Sequence, residues 1–298
     1  MNSAASDTGS ERARHRSSAG AIEQRSLAGS ARDFAWLYSP APLRAVLGPL
    51  LDIEREIGVA LRPGLDHGVA HVRLAWWRDE CGRCAAGHPA HRATRALLAA
   101  AGGPVDAIGL VQTAEWDLAA ATFETRGELA AYCERWASAV TGIAAQRAAF
   151  GRAFGAALKE IELLTGLTRD ARVGRLRLPL DELKGAGIDP SGLAQAPWTP
   201  ALGRLVAARH RAARTALAQS LASLSPADQP ALRGLLVWGA LAARASKRAE
   251  GTARRRPAPA GPPDESGRSH RLADAWQAWR AARRADRRRF QINQEDST

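Results

Sequence analysis

The stretch LRAVLGPLLDIEREIGVAL, residues 43–61, decides the fold class. Leu43, Val46, Leu47, Leu50, Ile53, Ile57 and Leu61 recur every three or four residues, which places them on one face of an α-helix. Pro40 and Pro42 precede the run, and Pro49 inside it is expected to kink the helix because it lacks an N–H. Asp52 and Glu56 stand four apart and so share a face. Alone, such a pair reads as a solvated surface; opposite a second acidic helix it reads as a cation-binding face.

The same period continues along the chain. Helices are expected over roughly 66–86, in the short segment HRATRALLAAAGG closed by Gly102 and Gly103, and over 104–117. Residues 126–167 read as one long or broken helical pair, opened by a capping box at Thr125 and Glu128. Two strong helices follow at about 200–224 and 226–249, and a last one covers SHRLADAWQAWRAARRADRR. No hairpin signal and no internal repeat appears. The fold class is therefore all-α, a single helical domain over residues 31–290. Residues 1–30 are polar and without period, which predicts disorder; a Pro/Arg-rich linker is expected at 250–268 and a polar tail at 291–298.

Composition agrees, with 46% apolar residues and only 5% aromatic ones. The net charge of +12 favours anionic partners. Much of that excess lies near the C-terminus, in Arg254–Arg256 and around Arg283–Arg289, where a solvated tail is the simpler reading and nucleic acid is not the expected partner. Cys81, Cys84 and Cys133 make no disulfide framework, no secretory segment precedes them, and no apolar run is long enough to span a bilayer, so a cytoplasmic protein is expected. Trp276 and Trp279 beside the C-terminal arginines leave peripheral membrane contact open.

Several residue sets have the right chemistry for a site. Cys81, Cys84, His88 and His91 are zinc-type ligands, but only three residues separate the pairs, and a buried thiol pair beside a polar turn is the plainer reading. His67 and His71 share a helix face without the glutamate a metalloprotease motif requires. Glu162 and Asp170 are two helical turns apart and pair naturally with Asp52 and Glu56 as two acidic faces that would hold Mg²⁺. Asp170 also lies among Arg169, Arg172, Arg175 and Arg177.

Taken in order, RLAWWRDE (73–80), HPAHRATRAL (88–97), EWDL (115–118), ELAAYCERWASAVTGIA (128–144) and DARVGRLRLPLDEL (170–183) resemble the motifs of the squalene/phytoene synthase family. The resemblance implies an isoprenoid-synthase bundle around a central cavity. It also implies a prenyl diphosphate or other isoprenoid lipid as partner and Mg²⁺ as cofactor of an active enzyme. On that reading Asp170 and Glu162 are the catalytic carboxylates, joined by Asp52 and Glu56 as metal ligands, with Arg172, Arg175 and Arg73 binding the diphosphate.

This chain departs from the pattern. The family's second motif, N-x-x-x-D-x-x-x-D, falls on Glu162, Gly166 and Asp170; Ile57, Gly58 and Leu61 stand where the first motif belongs; and Arg177 replaces a tyrosine. One branch of the family has lost these aspartates and serves in assembly of a respiratory complex. The resemblance thus implies either a divergent Mg²⁺-dependent prenyltransferase or a noncatalytic lipid-binding or assembly protein built on the same bundle.

Overall fold

Helix after helix forms where the apolar period runs, and the breaks between them fall at identifiable residues. The structure, a computed structural model, describes residues 30–62, 64–195, 197–254 and 266–292. The predicted disorder of residues 1–29, the centre of the expected linker (255–265) and the end of the polar tail (293–298) lie outside the described residues. Every regular element described is helical.

α1 (Ala31–Tyr38), which the sequence reading did not separate, is opened by a capping box in which Ser30 Oγ accepts from Asp33 N and Asp33 accepts from Ser30 N. α2 (Ala41–Gly58) runs through Pro49 and buries Leu43, Val46, Leu47, Leu50, Ile53 and Ile57. α3 (His67–Ala85), α4 (Arg92–Ala101), α5 (Ile108–Leu118) and α6 (Arg126–Ala137) follow. Thr125 caps α6 as expected, but the Glu128 carboxylate accepts from Glu124 N, one residue before the cap. α6 continues through a π-helical turn, Ser138–Gly142, and the chain breaks at Gln146, whose φ of 51° is left-handed.

α7 (Ala148–Thr165) is packed against α6, then α8 (Leu167–Arg172), α9 (Leu180–Gly185) and α10 (Pro200–Ala222). α11 (Arg233–Arg254) starts later than the expected 226, because a 3₁₀ turn at Pro226–Asp228 precedes it and Pro230 has no N–H to give a helix. α12 (Ser266–Asp286) lies on α11 and α1.

α7 packs on α6, α10 and α11, and two glycines set how closely. A Cβ on Gly151 would stand 2.4 Å from Thr141 O, and one on Gly155 would stand 1.8 Å from Thr141 Oγ1. The hydroxyl between them donates to Gly151 O at 2.6 Å and to Ala137 O at 3.1 Å. On the other side, α10 and α11 meet through His210, whose Nδ1 lies 2.9 Å from Ser246 Oγ, beside Arg214 and Glu250. Burial, reinforced by the Arg214 charge and only partly opposed by Glu250, pushes the imidazole down to about 4.

Two measurements check this packing. Gly155→Val forces α7 away from the π turn and should cost about 2–3 kcal/mol, roughly 5–10 °C in melting temperature; an unchanged melt would refute the close approach. His210 stays neutral in the fold and charges more readily in the unfolded chain. Its stabilising contribution is therefore present above about pH 6.5 and disappears as pH falls towards about 4, on the order of 3 kcal/mol in all. Denaturation at pH 7 and pH 4.5 should show a smaller acid-induced loss in His210→Gln than in the parent protein, and equal losses would exclude the imidazole as the cause.

Candidate functional site

A cavity of about 1040 Å³ opens between α1, α2, α4, α5, α6 and α7. Its apolar wall is made of small and branched residues, among them Ala45, Leu51, Ile57, Ala96, Leu110 and Ala114. They point inward because the helical period of their segments leaves one apolar stripe facing the bundle. The polar part of the wall carries Arg32, Asp52, Glu54, Asp117, Tyr132 and Lys159.

Arg32 of α1 joins two carboxylates from different helices. Its Nε and Nη2 donate to Glu162 of α7 at 3.1 and 2.6 Å, and its Nη1 donates to Glu54 Oε2 of α2. The remaining Glu54 oxygen accepts from Trp136 Nε1 at 2.8 Å. The same guanidinium lies 5.5 Å from the Trp136 ring and 5.3 Å from the Trp238 ring, which meet edge to face. Burial works against the Arg32 charge, but Glu162 and Glu54 outweigh it and hold the guanidinium above its ordinary pKa. Burial likewise raises Glu54, yet Arg32, Lys159 and the Trp136 hydrogen bond bring it below the usual carboxylate value.

A second guanidinium does the same for the other two acids. Arg177, buried in the extended segment before α9, donates from Nη1 to Asp117 Oδ1 of α5 at 2.7 Å and from Nε to Asp170 Oδ2 of α8 at 3.1 Å. Arg169 Nε donates to the other Asp170 oxygen at 3.1 Å, and the Tyr132 hydroxyl donates to Asp117 at 3.2 Å. Burial, then Asp117, raise the Tyr132 phenol well above its ordinary value, so it stays protonated as a donor.

The residues singled out in the sequence are thus distributed over several places. Glu162 and Asp170 do not share one continuous helix, because α7 ends before Gly166 and α8 begins after it. Asp52 lines the cavity and is paired with Arg55 at 2.5 Å, whereas Glu56 is held by His91 at 3.2 Å and Arg92 at 3.3 Å. Arg172 donates to Ala194 O and Arg175 to Leu61 O, each at 3.4 Å, and Arg73 is exposed. Asp117 pairs with Arg177, and Arg78 donates to Glu115 at 2.6 Å.

Cys81 and Cys84 are buried, and burial first of all pushes the Cys81 thiol up to about 12. His91 caps α4, and its turn is held by the buried Glu80 carboxylate, which accepts from Ala90 N, His91 N and the Thr94 hydroxyl. Trp77 is in the core, while its neighbour Trp76 stays 44% exposed. Among the described residues no group of three or more His, Cys, Asp or Glu side chains is arranged to hold a metal ion. None of the described helices is long and apolar enough to cross a membrane.

Arg32, Glu54, Asp117 and Lys159 were not singled out as site residues from sequence. Glu54 had a usable signal, since it lies on the same helix face as Leu50 and Ile57. The Lys159 ammonium stands 5.0 Å from the Trp136 ring and 5.9 Å from the Tyr132 ring, inside the cavity.

Comparison with known proteins places this geometry. The fold matches a dehydrosqualene synthase solved with a ligand, with a TM-score of 0.67 and 14% identity over 89% of this chain and 94% of that one. It also matches squalene synthase HpnC from Alicyclobacillus acidocaldarius, with a TM-score of 0.62 and 20% identity over 74% of this chain and 88% of that one. No curated protein matches the sequence. At these identities the two likenesses establish the isoprenoid-synthase bundle. The profile of the squalene/phytoene synthase family matches residues 34–255, most of the described chain, and the protein belongs to that family.

Proposed function

We propose that this family member binds an isoprenoid lipid in the bundle cavity and does not carry out metal-assisted condensation. The family handles prenyl diphosphates, and a cavity of about 1040 Å³ lies at the upper end of the about 300–1,000 Å³ usual for small-molecule sites. The apolar wall suits a branched hydrocarbon chain. Lys159, a cation over aromatic faces inside the cavity, is the group best placed to receive an anionic head.

One observation carries the noncatalytic reading: the carboxylates at the polar end are already neutralised by guanidinium groups of the same chain. Mg²⁺ needs near-octahedral oxygen ligands with open lone pairs. Both oxygens of Glu162 accept from Arg32, both oxygens of Asp170 accept from arginines, and Glu54 is shared between Arg32 and Trp136. That donor set does not fit a divalent cation. A divergent Mg²⁺-dependent prenyltransferase is the competing reading, in which Asp170, Glu162, Asp52 and Glu56 would have to leave their present partners.

Incubation with farnesyl or geranylgeranyl diphosphate and Mg²⁺ decides between the two. The expected result is saturable binding of the prenyl diphosphate, weakened several-fold by Lys159→Met, with no release of inorganic diphosphate. Turnover that disappears in Asp170→Ala would establish the prenyltransferase instead.

A second measurement addresses Arg32 directly. Arg32→Met leaves Glu54 and Glu162 facing one another without the guanidinium that joins them. The cost should be about 2–4 kcal/mol, below the full value for a buried pair because the Arg32 side chain retains 30% of its exposure. Millimolar Mg²⁺ should raise the melting temperature of this variant and leave that of the parent unchanged; a parent protein equally stabilised by Mg²⁺ would show that the carboxylates take metal despite the arginine.

A further inference from the structure

A second cavity, of about 400 Å³, lies between α11 and α12 at the far end of the chain. Arg244, Lys247 and Arg248 of α11, Arg280 and Arg284 of α12, and Arg214 of α10 line it, together with the amides of Gln277 and Gln291. No carboxylate is among its described lining residues. Two described acids beside it are bound by arginines: Asp274 accepts from Arg244 at 3.1 Å and Arg248 at 2.9 Å, and Glu250 accepts from Arg211 at 2.8 Å and Arg214 at 2.5 Å.

This arrangement leaves donors unused. Arg214 is 2% exposed, and its Nε has no hydrogen-bond partner among the described residues. Arg280 lies 4.4 Å from the Trp276 ring, and Arg284 pairs with no described carboxylate. Converging guanidinium groups repel one another unless an anion sits between them, and their planar forks match phosphate oxygens two at a time. We propose that the cavity is a second ligand site, for a phosphate group, separate from the isoprenoid cavity.

The surroundings favour a phosphate carried on a lipid headgroup. Leu272, Trp276 and Trp279 recur at helical spacing on α12 and are 77%, 54% and 50% exposed. Trp rings beside arginines suit the boundary between headgroups and acyl chains, and Arg280, which touches Trp276, lies at the junction of that face with the cavity. The acids of α12 are occupied elsewhere, Asp274 as described and Asp286 by Arg233 at 2.8 Å, so the face presented outward is cationic.

The test uses the full chain in two arms, calorimetric titration with inorganic phosphate and co-sedimentation with phosphatidylcholine vesicles with or without phosphatidylglycerol. Arg280→Gln with Arg284→Gln should weaken binding about tenfold, the loss of roughly one charge-assisted contact. Arg152→Gln with Arg204→Gln removes the same charge from exposed positions elsewhere and should change it little. Vesicle binding that needs phosphatidylglycerol and is lost in Trp276→Ala with Trp279→Ala assigns the phosphate to a lipid; binding of dissolved phosphate alone assigns it to a soluble anion. The proposal is overturned if the parent protein binds neither, or if both arginine pairs weaken binding equally. Circular dichroism of each variant separates loss of the site from loss of the fold. Prenyl diphosphate binding in the first cavity does not depend on either arginine pair, so failure here leaves that reading intact.

Discussion

The guanidinium of Arg32 is the contact on which the polar end of the bundle depends. Glu54 and Glu162 come from helices on opposite sides of the cavity, and two carboxylates cannot face one another there without a counter-charge. Arg32 meets this constraint with three donors, and Trp136 and Trp238 cover the faces its hydrogen bonds leave open. Because Arg32 belongs to α1, the first described helix is tied to α2, α6, α7 and α11 through a single side chain. Arg233 of α11 adds to the tie by donating to Tyr38 O at the end of α1.

Arg177 repeats the solution on the other two acids. Its guanidinium places a cation between Asp117 and Asp170. Four acids and three arginines thereby form two ion-paired units, Arg32 with Glu54 and Glu162, and Arg177 and Arg169 with Asp117 and Asp170. A guanidinium is fixed in place and always charged, whereas a metal ion exchanges with solvent and must be bound anew. In this bundle the carboxylates that meet at the cavity have their counter-charge supplied by the chain itself.

The helices were legible because their apolar residues recur at a single period, and Leu43 to Ile57 are buried as that period demands. α1 was harder to read, since its eight residues are held by a cap and by tertiary contacts more than by pattern. The start of α11 was misread because a proline can open a helix or precede one, and Pro226 opens only a 3₁₀ turn. In the site, Asp170 and Glu162 were visible from their motif, but their partners were not. Arg32 is 130 residues from Glu162, and Arg177 is 60 from Asp117. Only folding brings such pairs together. Asp52 and Glu56 attracted attention by spacing alone, while Glu54, an acid within an apolar stripe, gave the better signal: a charge at a core position must have a partner.

The cavity itself argues for an occupant. A cavity of about 1040 Å³ that opens to solvent is filled, by water or by a ligand. Filling by water is costly along the wall of Ala45, Leu51, Ile57, Ala96 and Leu110, where water finds no hydrogen-bond partners. Small residues keep that wall open where larger ones would close it: at Gly48 an added Cβ would stand 3.1 Å from Trp36 Nε1, at the rim between α1 and α2. An apolar chamber held open beside a polar end whose carboxylates are paired with arginines is suited to a molecule with a long hydrocarbon part, and those arginine bridges leave the chamber untouched.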